Sequence, residues 1–254
     1  MVNELIGAFD TSALSSTGDA FLDKKDFTVI SLGGSLLFKE NGDIDAEYVK
    51  SAAALFRKLH AKGFKIAISV GGGKFSAQYQ DIVRKSGTQV MADKIGQMIN
   101  HVNATLLIAL LGEDVAYPKS ITDLSETQLA SKLNLIPVGA GFVEGATSDH
   151  AGVIIAERLK AKRLINLSKV DGIYDSDPAK NPKAKLIKKM SYEQLIELAT
   201  RLDTREPKAP FVFDIIACKL AARSGIEIVF ANGKKLDGLK KLVEGSRDCG
   251  TIVG

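Results

Sequence analysis

Cysteine is scarce in this chain of 254 residues: only Cys218 and Cys249 occur, well apart and without Cys-x-x-Cys spacing. The three histidines, His60, His101 and His150, form no sequence cluster with them, so zinc and disulfide frameworks are both excluded. A surplus of one charge is missing as well. Thirty-four basic residues face 30 acidic ones, interspersed rather than blocked, and the net charge of +4 leaves no basic stripe for nucleic acid and no polybasic membrane anchor. No window reaches the roughly eighteen apolar residues of a membrane helix, and no basic segment followed by an apolar run opens the chain. Internal repeats and low-complexity tracts are absent too. These absences predict a soluble, cytoplasmic protein with reduced thiols that works on small molecules. The length suits one large α/β domain.

What is present is glycine at two strand ends. Gly33-Gly34-Ser35 and Gly71-Gly72-Gly73 follow the short apolar runs Phe27 to Leu32 and Lys65 to Val70. Lacking a Cβ, glycine lets backbone N–H groups approach an anion, and a following helix adds its positive end. The second run leads directly into Lys74 and a segment whose Phe75, Tyr79, Ile82 and Val83 share one helical stripe. One such turn is ordinary strand-to-helix punctuation; two after buried strands favour phosphate binding. Neither fits Gly-x-x-x-x-Gly-Lys-Ser/Thr or Gly-x-Gly-x-x-Gly, so the cradle belongs to neither of those nucleotide folds.

Residues 1–26 lack periodicity and read as a tail or docking segment. From Phe27 onward, strands alternate with helices. Helices are expected from about Ile44 to Leu59, Asp93 to Leu111, Asp149 to Leu159, Ser191 to Ala199, Asp214 to Arg223 and Leu236 to Val243. Strands are expected at Ile66–Val70, Leu133–Val138, Leu164–Leu167 and Ile226–Phe230, with a closing strand at Cys249–Val253. The alternation predicts an α/β fold with a mainly parallel sheet covered on both faces. Two polar stretches, one with Asp171-Gly172, Asp177-Pro178 and Asn181-Pro182, the other from Leu202 to Pro210, read as surface loops over a site.

Asp149 follows Thr147-Ser148 and opens a helix, where it serves equally well as an N-cap or as a functional carboxylate. The segment from Asn166 to Pro178 supplies Ser168, Lys169, Asp171, Tyr174 and Asp177 at a strand end. The order strand-Gly-Gly-Ser, strand-Gly-Gly-Gly-helix, Thr-Ser-Asp-helix, Ser-Lys-Val-Asp-Gly-Ile-Tyr-Asp-Ser-Asp-Pro resembles the amino acid kinase family over essentially all of Phe27 to Gly254. Within it the likeness is to the archaeal type of uridylate kinase, carried by Ser31 to Ser35, Asp93 to Gly96, Val102 to Asp114, Ala116-Tyr117-Pro118, and Phe213-Asp214 through Lys219.

That resemblance implies a three-layer αβα sandwich, an oligomer that is usually hexameric, and transfer of the γ-phosphoryl of MgATP to UMP. It divides residues 27–254 into an acceptor-binding part, about 27–160, and an ATP-binding part, about 161–254. By the same resemblance, Gly33, Gly34 and Ser35 face the transferred phosphoryl, while Gly71, Gly72, Gly73, Lys74 and Thr147 surround the acceptor phosphate. Asp93 takes the acceptor ribose, and Ser168, Asp171, Tyr174 and Asp177 hold the ATP ribose and base. Asp149 and Asp214 orient cations and Mg²⁺, and Lys74, Lys169 or Lys219, the last placed among the catalytic residues, supplies the cation that touches the phosphoryl in flight. Three positions depart from the pattern. Ser31 stands where many members have Lys, Ala77 where uridylate kinases usually have Arg, and Phe142 where they usually have Thr. The alternatives are a same-fold kinase for another small phosphate or carboxylate, such as isopentenyl phosphate, and a non-catalytic nucleotide or oxyanion binder.

Overall fold

The structure, a computed structural model, describes residues 26–202 and 213–254. The expected tail up to residue 25 and most of the expected loop from Leu202 to Pro210 lie outside the described residues. Seven strands form one sheet: β1 (Phe27–Leu32), β2 (Lys65–Val70), β3 (Val138–Gly139), β4 (Arg163–Ser168), β5 (Lys189–Met190), β6 (Glu227–Asn232) and β7 (Thr251–Val253). Their spatial order is β3-β2-β1-β4-β6-β7-β5. The strands from β3 to β6 are mutually parallel, whereas β7 runs antiparallel to β6 and carries β5 parallel to itself at the edge.

The central strands read as unbroken apolar runs because helices cover both faces. One face packs against α1 (Ala46–Ala61), α3 (Gln89–Leu111) and α8 (Leu236–Val243), with Phe56, Leu107 and Leu242 fully buried. The other packs against α5 (Ser148–Leu159), α6 (Tyr192–Leu202) and α7 (Ile215–Ser224) around Val153, Leu195 and Phe213. The remaining helices, α2 (Gly73–Ser86) and α4 (Leu124–Lys132), lie against α3 and α5. Among the described residues no helix is long and apolar enough to cross a membrane.

Chain order explains where a site must form. From β1 the chain moves outward through β2 and β3 on one side, then returns to the other side for β4 and β6. Loops at the carboxyl ends of β1 and β4 therefore diverge in opposite directions and open a crevice between them. The loops Gly33-Gly34-Ser35 and Ser168-Lys169 leave from those two ends.

At three places the structure corrects or completes the sequence reading. The stripe Phe75, Tyr79, Ile82 lies on one exposed face, and Ser76 is the buried residue of α2. Helical periodicity marks an apolar face without saying what covers it. The strand expected at Leu133–Val138 shrinks to Val138–Gly139, because α4, not foreseen in the sequence, uses the preceding residues and its cap Leu133 bonds back to Leu129. Third, the long helix begins at Gln89, four residues early, because the Thr88 hydroxyl accepts from the Met91 amide and caps it.

Candidate active site

The two glycine runs lie against each other, backbone to backbone. A Cβ on Gly34 would sit 2.1 Å from the Gly73 nitrogen and 2.5 Å from the Gly71 carbonyl, and one on Gly73, at φ +63°, would sit 2.6 Å from the Gly34 carbonyl. Only glycine permits that approach. Gly33 is held by its N–H to the Leu167 carbonyl (3.1 Å) and Gly71 by its N–H to the Leu32 carbonyl (3.0 Å), so both loops hang from sheet ends. The Asn103 amide of α3 donates to the Gly71 carbonyl at 2.9 Å and fixes the second loop from behind. The short 3-10 turn Gly34–Leu37 and α2 both start here, and helix starts leave N–H groups without intrahelical acceptors. The result is a pair of interlocked glycine loops, each leading into a helical start.

A second cluster faces it from the N-terminus of α5. Thr147, not Asp149, is the N-cap: its Oγ1 accepts the His150 N–H at 3.2 Å. Asp149 instead points back to the sheet, where its Oδ1 accepts from Ser31 Oγ (3.3 Å) on β1 and Asn166 Nδ2 (2.8 Å) on β4. Ser31 and Asn166 are register partners, so one carboxylate bridges the two strands that border the crevice. Asp214 caps α7, its Oδ1 accepting the Ile216 and Ala217 amides at 2.8 and 3.0 Å, and its Oδ2 accepts the Thr147 hydroxyl at 3.2 Å. Ser148 completes the link, since its Oγ would be 3.1 Å from a Cβ on Gly71.

Electrostatically this cluster is unbalanced. Asp149 is pushed up to about 7, first by desolvation of its enclosed carboxyl and then by the charge of Asp214, against the pull of Ser31 and Asn166. The residue as a whole keeps a partial opening to solvent. No lysine or arginine among the described residues forms an ion pair with either carboxylate. Lys74, Lys169 and Lys219 are all exposed, the last on the outer side of α7. The cluster thus carries acidic charge that no basic side chain among the described residues balances by an ion pair.

Other expected residues sit further out. Asp93 on α3 accepts from Gln89 (2.9 Å) and turns its other oxygen toward Gly145. Ser168 closes a turn with Val170 at the end of β4. Asp171 pairs with Lys235 at 2.7 Å and accepts from Asn232 (3.1 Å); both hold it below the usual carboxylate range, Lys235 most strongly. Beside it lies a cleft of about 210 Å³ between the end of β6, α8 and the turn Asp248 to Gly250. Tyr174 pairs with Leu186 in a small hairpin, and Asp177 caps the turn at Ala179 (3.0 Å).

Asn103 and Asn166 were not singled out from the sequence, although each carried a signal. Asn166 lies two residues before Ser168 and therefore on the same face of β4. Asn103 is a lone buried amide in an apolar helix stretch, which a core tolerates only with a partner.

The chain that carries this site is similar to known proteins over most of its length. Uridylate kinase of Methanobrevibacter smithii is 36% identical over 226 residues, 89% of this chain and 97% of that protein. Uridylate kinase of Methanospirillum hungatei is 34% identical over 226 residues, 89% and 93% of the two chains. The crystal structure of uridylate kinase from Archaeoglobus fulgidus superposes with a TM-score of 0.76 at 30% identity, covering 89% of this chain and 99% of that one. UMP kinase from Ureaplasma parvum, at 21% identity, shares the fold with a TM-score of 0.76 over 91% of this chain and 99% of its own. The family model described as amino acid kinase family matches residues 26–232, a span that contains both glycine loops, Asp149 and Asp214, and by this match the chain belongs to the amino acid kinase family.

Proposed function

We propose that the protein is an ATP-dependent UMP kinase, in which an oxygen of the UMP phosphate bonds to the γ-phosphorus of ATP as the bond to the bridging β,γ-oxygen breaks, releasing UDP and ADP. One observation carries this reading. The likeness to uridylate kinases spans nearly the whole chain, and the loops that such a transfer needs interlock at its centre.

Phosphoryl transfer asks for positioning and charge neutralisation rather than a protein nucleophile. In this reading Gly33, Gly34 and Ser35 present amides to the transferred group, and Gly71, Gly72 and Gly73 with Lys74 and Thr147 receive the acceptor phosphate. Asp93 offers its free oxygen to the acceptor ribose. Ser168, Tyr174 and Asp177 border the donor side, and Asp171 lines the cleft beside α8 that suits the donor base or ribose. This assigns roughly residues 27–160 to the acceptor and 161–254 to the donor. Asp149 and Asp214 would share a magnesium ion with the phosphates, since magnesium takes one or two carboxylates and completes its shell with phosphate oxygens and water. Mg²⁺ would supply the positive charge that this acidic cluster lacks. Lys219, exposed on α7, stays a candidate to swing inward.

The reading also includes a cytoplasmic homo-oligomer. Phe75, Tyr79 and Ile82 of α2 and Met91, Met98 and Val102 of α3 are exposed apolar side chains on two helices packed against each other, which supports burial against a second copy. Met98→Glu should lower the molar mass measured by light scattering; an unchanged mass would place the interface elsewhere.

The deciding experiment is a coupled assay of ADP release with MgATP and, in turn, UMP, CMP, isopentenyl phosphate and N-acetylglutamate. UMP is expected to give the highest kcat/KM. ADP release with another acceptor but none above background with UMP would overturn the reading.

A further inference from the structure

Between β3 and α5 the chain crosses the acceptor side of the crevice as the loop 140–147, which carries Phe142 and delivers Thr147, Ser148 and Asp149. Few bonds of its own hold it: one turn contact, Ala146 N–H to the Val143 carbonyl at 3.2 Å, lies within it. Apart from Thr147, whose hydroxyl donates to Asp214, its side-chain anchors come from α3. Gln97 donates its side-chain amide to the Val143 carbonyl, and His101 places Nε2 3.1 Å from the Gly141 carbonyl and Nδ1 2.7 Å from Ser120 Oγ. A carbonyl only accepts, so Nε2 carries the proton and Nδ1 of the neutral ring accepts the Ser120 hydroxyl. Burial pushes the pKa of this histidine down, in keeping with a neutral ring.

Asp93, Gln97 and His101 succeed one another at four-residue spacing, so one side of α3 faces the loop turn by turn. The same helix holds the acceptor glycines through Asn103. Helix α3 thus fixes the floor of the acceptor pocket and its outer wall at once. Gly141 shows how tightly the wall is fitted, because a Cβ there would lie 2.9 Å from Gln97 Cγ.

We propose that His101 and Gln97 are positioning residues for the acceptor: by hydrogen-bonding the Gly141 and Val143 carbonyls they set the distance between the loop 140–147 and the triple glycine, and so determine acceptor affinity without touching the donor. The proposal rests on the kinase reading above and names residues that reading does not use.

The test is steady-state kinetics of the full-length protein with His101→Ala, His101→Asn, His101→Gln and Gln97→Ala. The side-chain nitrogen of Gln reaches where Nε2 lies, so His101→Gln restores the bond to Gly141, whereas the shorter Asn reaches only the Ser120 side. The acceptor KM should rise about three- to tenfold in His101→Ala, His101→Asn and Gln97→Ala, the range one lost hydrogen bond produces. His101→Gln should stay within about twofold of wild type on the same scale. The KM for MgATP and kcat should hold steady throughout. A KM for MgATP that rises in parallel, an unchanged acceptor KM, or Gln and Asn behaving alike would each overturn the proposal. Failure of the kinase reading looks different: the wild type itself would not turn over UMP, and the same ratios would then be taken with whichever acceptor it does use.

Discussion

Replacing Asp149 by Asn separates the charge of this carboxylate from its shape. The Asn carbonyl oxygen can still accept from Ser31 and Asn166, now at 3.3 and 2.8 Å, and the helix cap on Thr147 is untouched. What disappears is an enclosed negative charge beside Asp214. In the folded protein Asp149 is raised from an ordinary 3.8 to about 7. A carboxyl raised in this way holds its proton more tightly when folded, so its contribution to stability is complete below about pH 4 and is lost as the pH climbs to about 7. Between pH 5 and 8 the linked loss is about 2 to 3 kcal/mol, and the partial exposure of the residue puts the lower figure forward.

For a chain of this size each kcal/mol moves the melting temperature by roughly 2–4 °C. On going from pH 5 to pH 8 without nucleotide or divalent cation, the stability of Asp149→Asn relative to wild type should therefore improve by roughly 4–8 °C. Calorimetric melts of both proteins at the two pH values, at one scan rate and buffer ionic strength, measure this directly. A gap that does not change with pH, or that moves in favour of wild type at pH 8, would show that the folded protein stabilises the Asp149 anion and would refute the argument. The same substitution should lower kcat at least about tenfold, because it removes a charge that orients cations around the phosphoryl group. Greater stability joined to lost turnover would mark Asp149 as a group kept for chemistry at the expense of the fold.

Other consequences are open to measurement. Ala77→Arg, on the exposed side of α2 one turn beyond the triple glycine, should lower the KM for UMP and leave that for ATP unchanged, since a charge-assisted contact to phosphate is worth about 1.5 to 3 kcal/mol; an unchanged KM would mean that residue 77 does not face the acceptor. Gly34→Ala should yield a protein without measurable turnover, because its Cβ would meet the Gly73 nitrogen at 2.1 Å and the loops could only separate; wild-type kcat in this variant would show that the loops need not touch. Arg163→Met should destabilise by about 3 kcal/mol in urea titrations, since the buried guanidinium joins Glu227 (2.6 Å) to the Leu242 and Ser246 carbonyls, far from the site; a loss below about 1 kcal/mol would make the pair dispensable.

The central sheet was legible because β1, β2, β4 and β6 are buried on both faces and so appear as continuous apolar runs, and α8 was legible to the residue. The short edge strands β3 and β5 were not, because two residues hold no periodicity and their pairing is set by neighbours distant in sequence. Helix α4 was missed for a related reason: only Thr127 and Ala130 of its nine residues are buried, which leaves no apolar stripe to read. Glycine was the strongest signal of the site, but the sequence showed two separate turns and not that they interlock. Contact across more than 35 residues of chain is a tertiary fact.

Asp149 shows why position along the chain and role in the site come apart. Next to Thr147 and Ser148 at a helix start, a carboxylate has an adequate local explanation as a cap, and nothing nearby in the sequence disputes it. The structure gives the cap to Thr147 and turns Asp149 toward Ser31, 118 residues earlier in the chain. A lysine there would compensate the carboxylate and hold it ionised; serine only donates a hydrogen bond and leaves the charge unbalanced. In the proposed kinase the balance would come from outside the polypeptide, from the magnesium ion bound with the nucleotide. On that reading the acidic cluster is least costly when the donor is in place, which would couple the ionisation of Asp149 to donor binding in a way a built-in lysine would not.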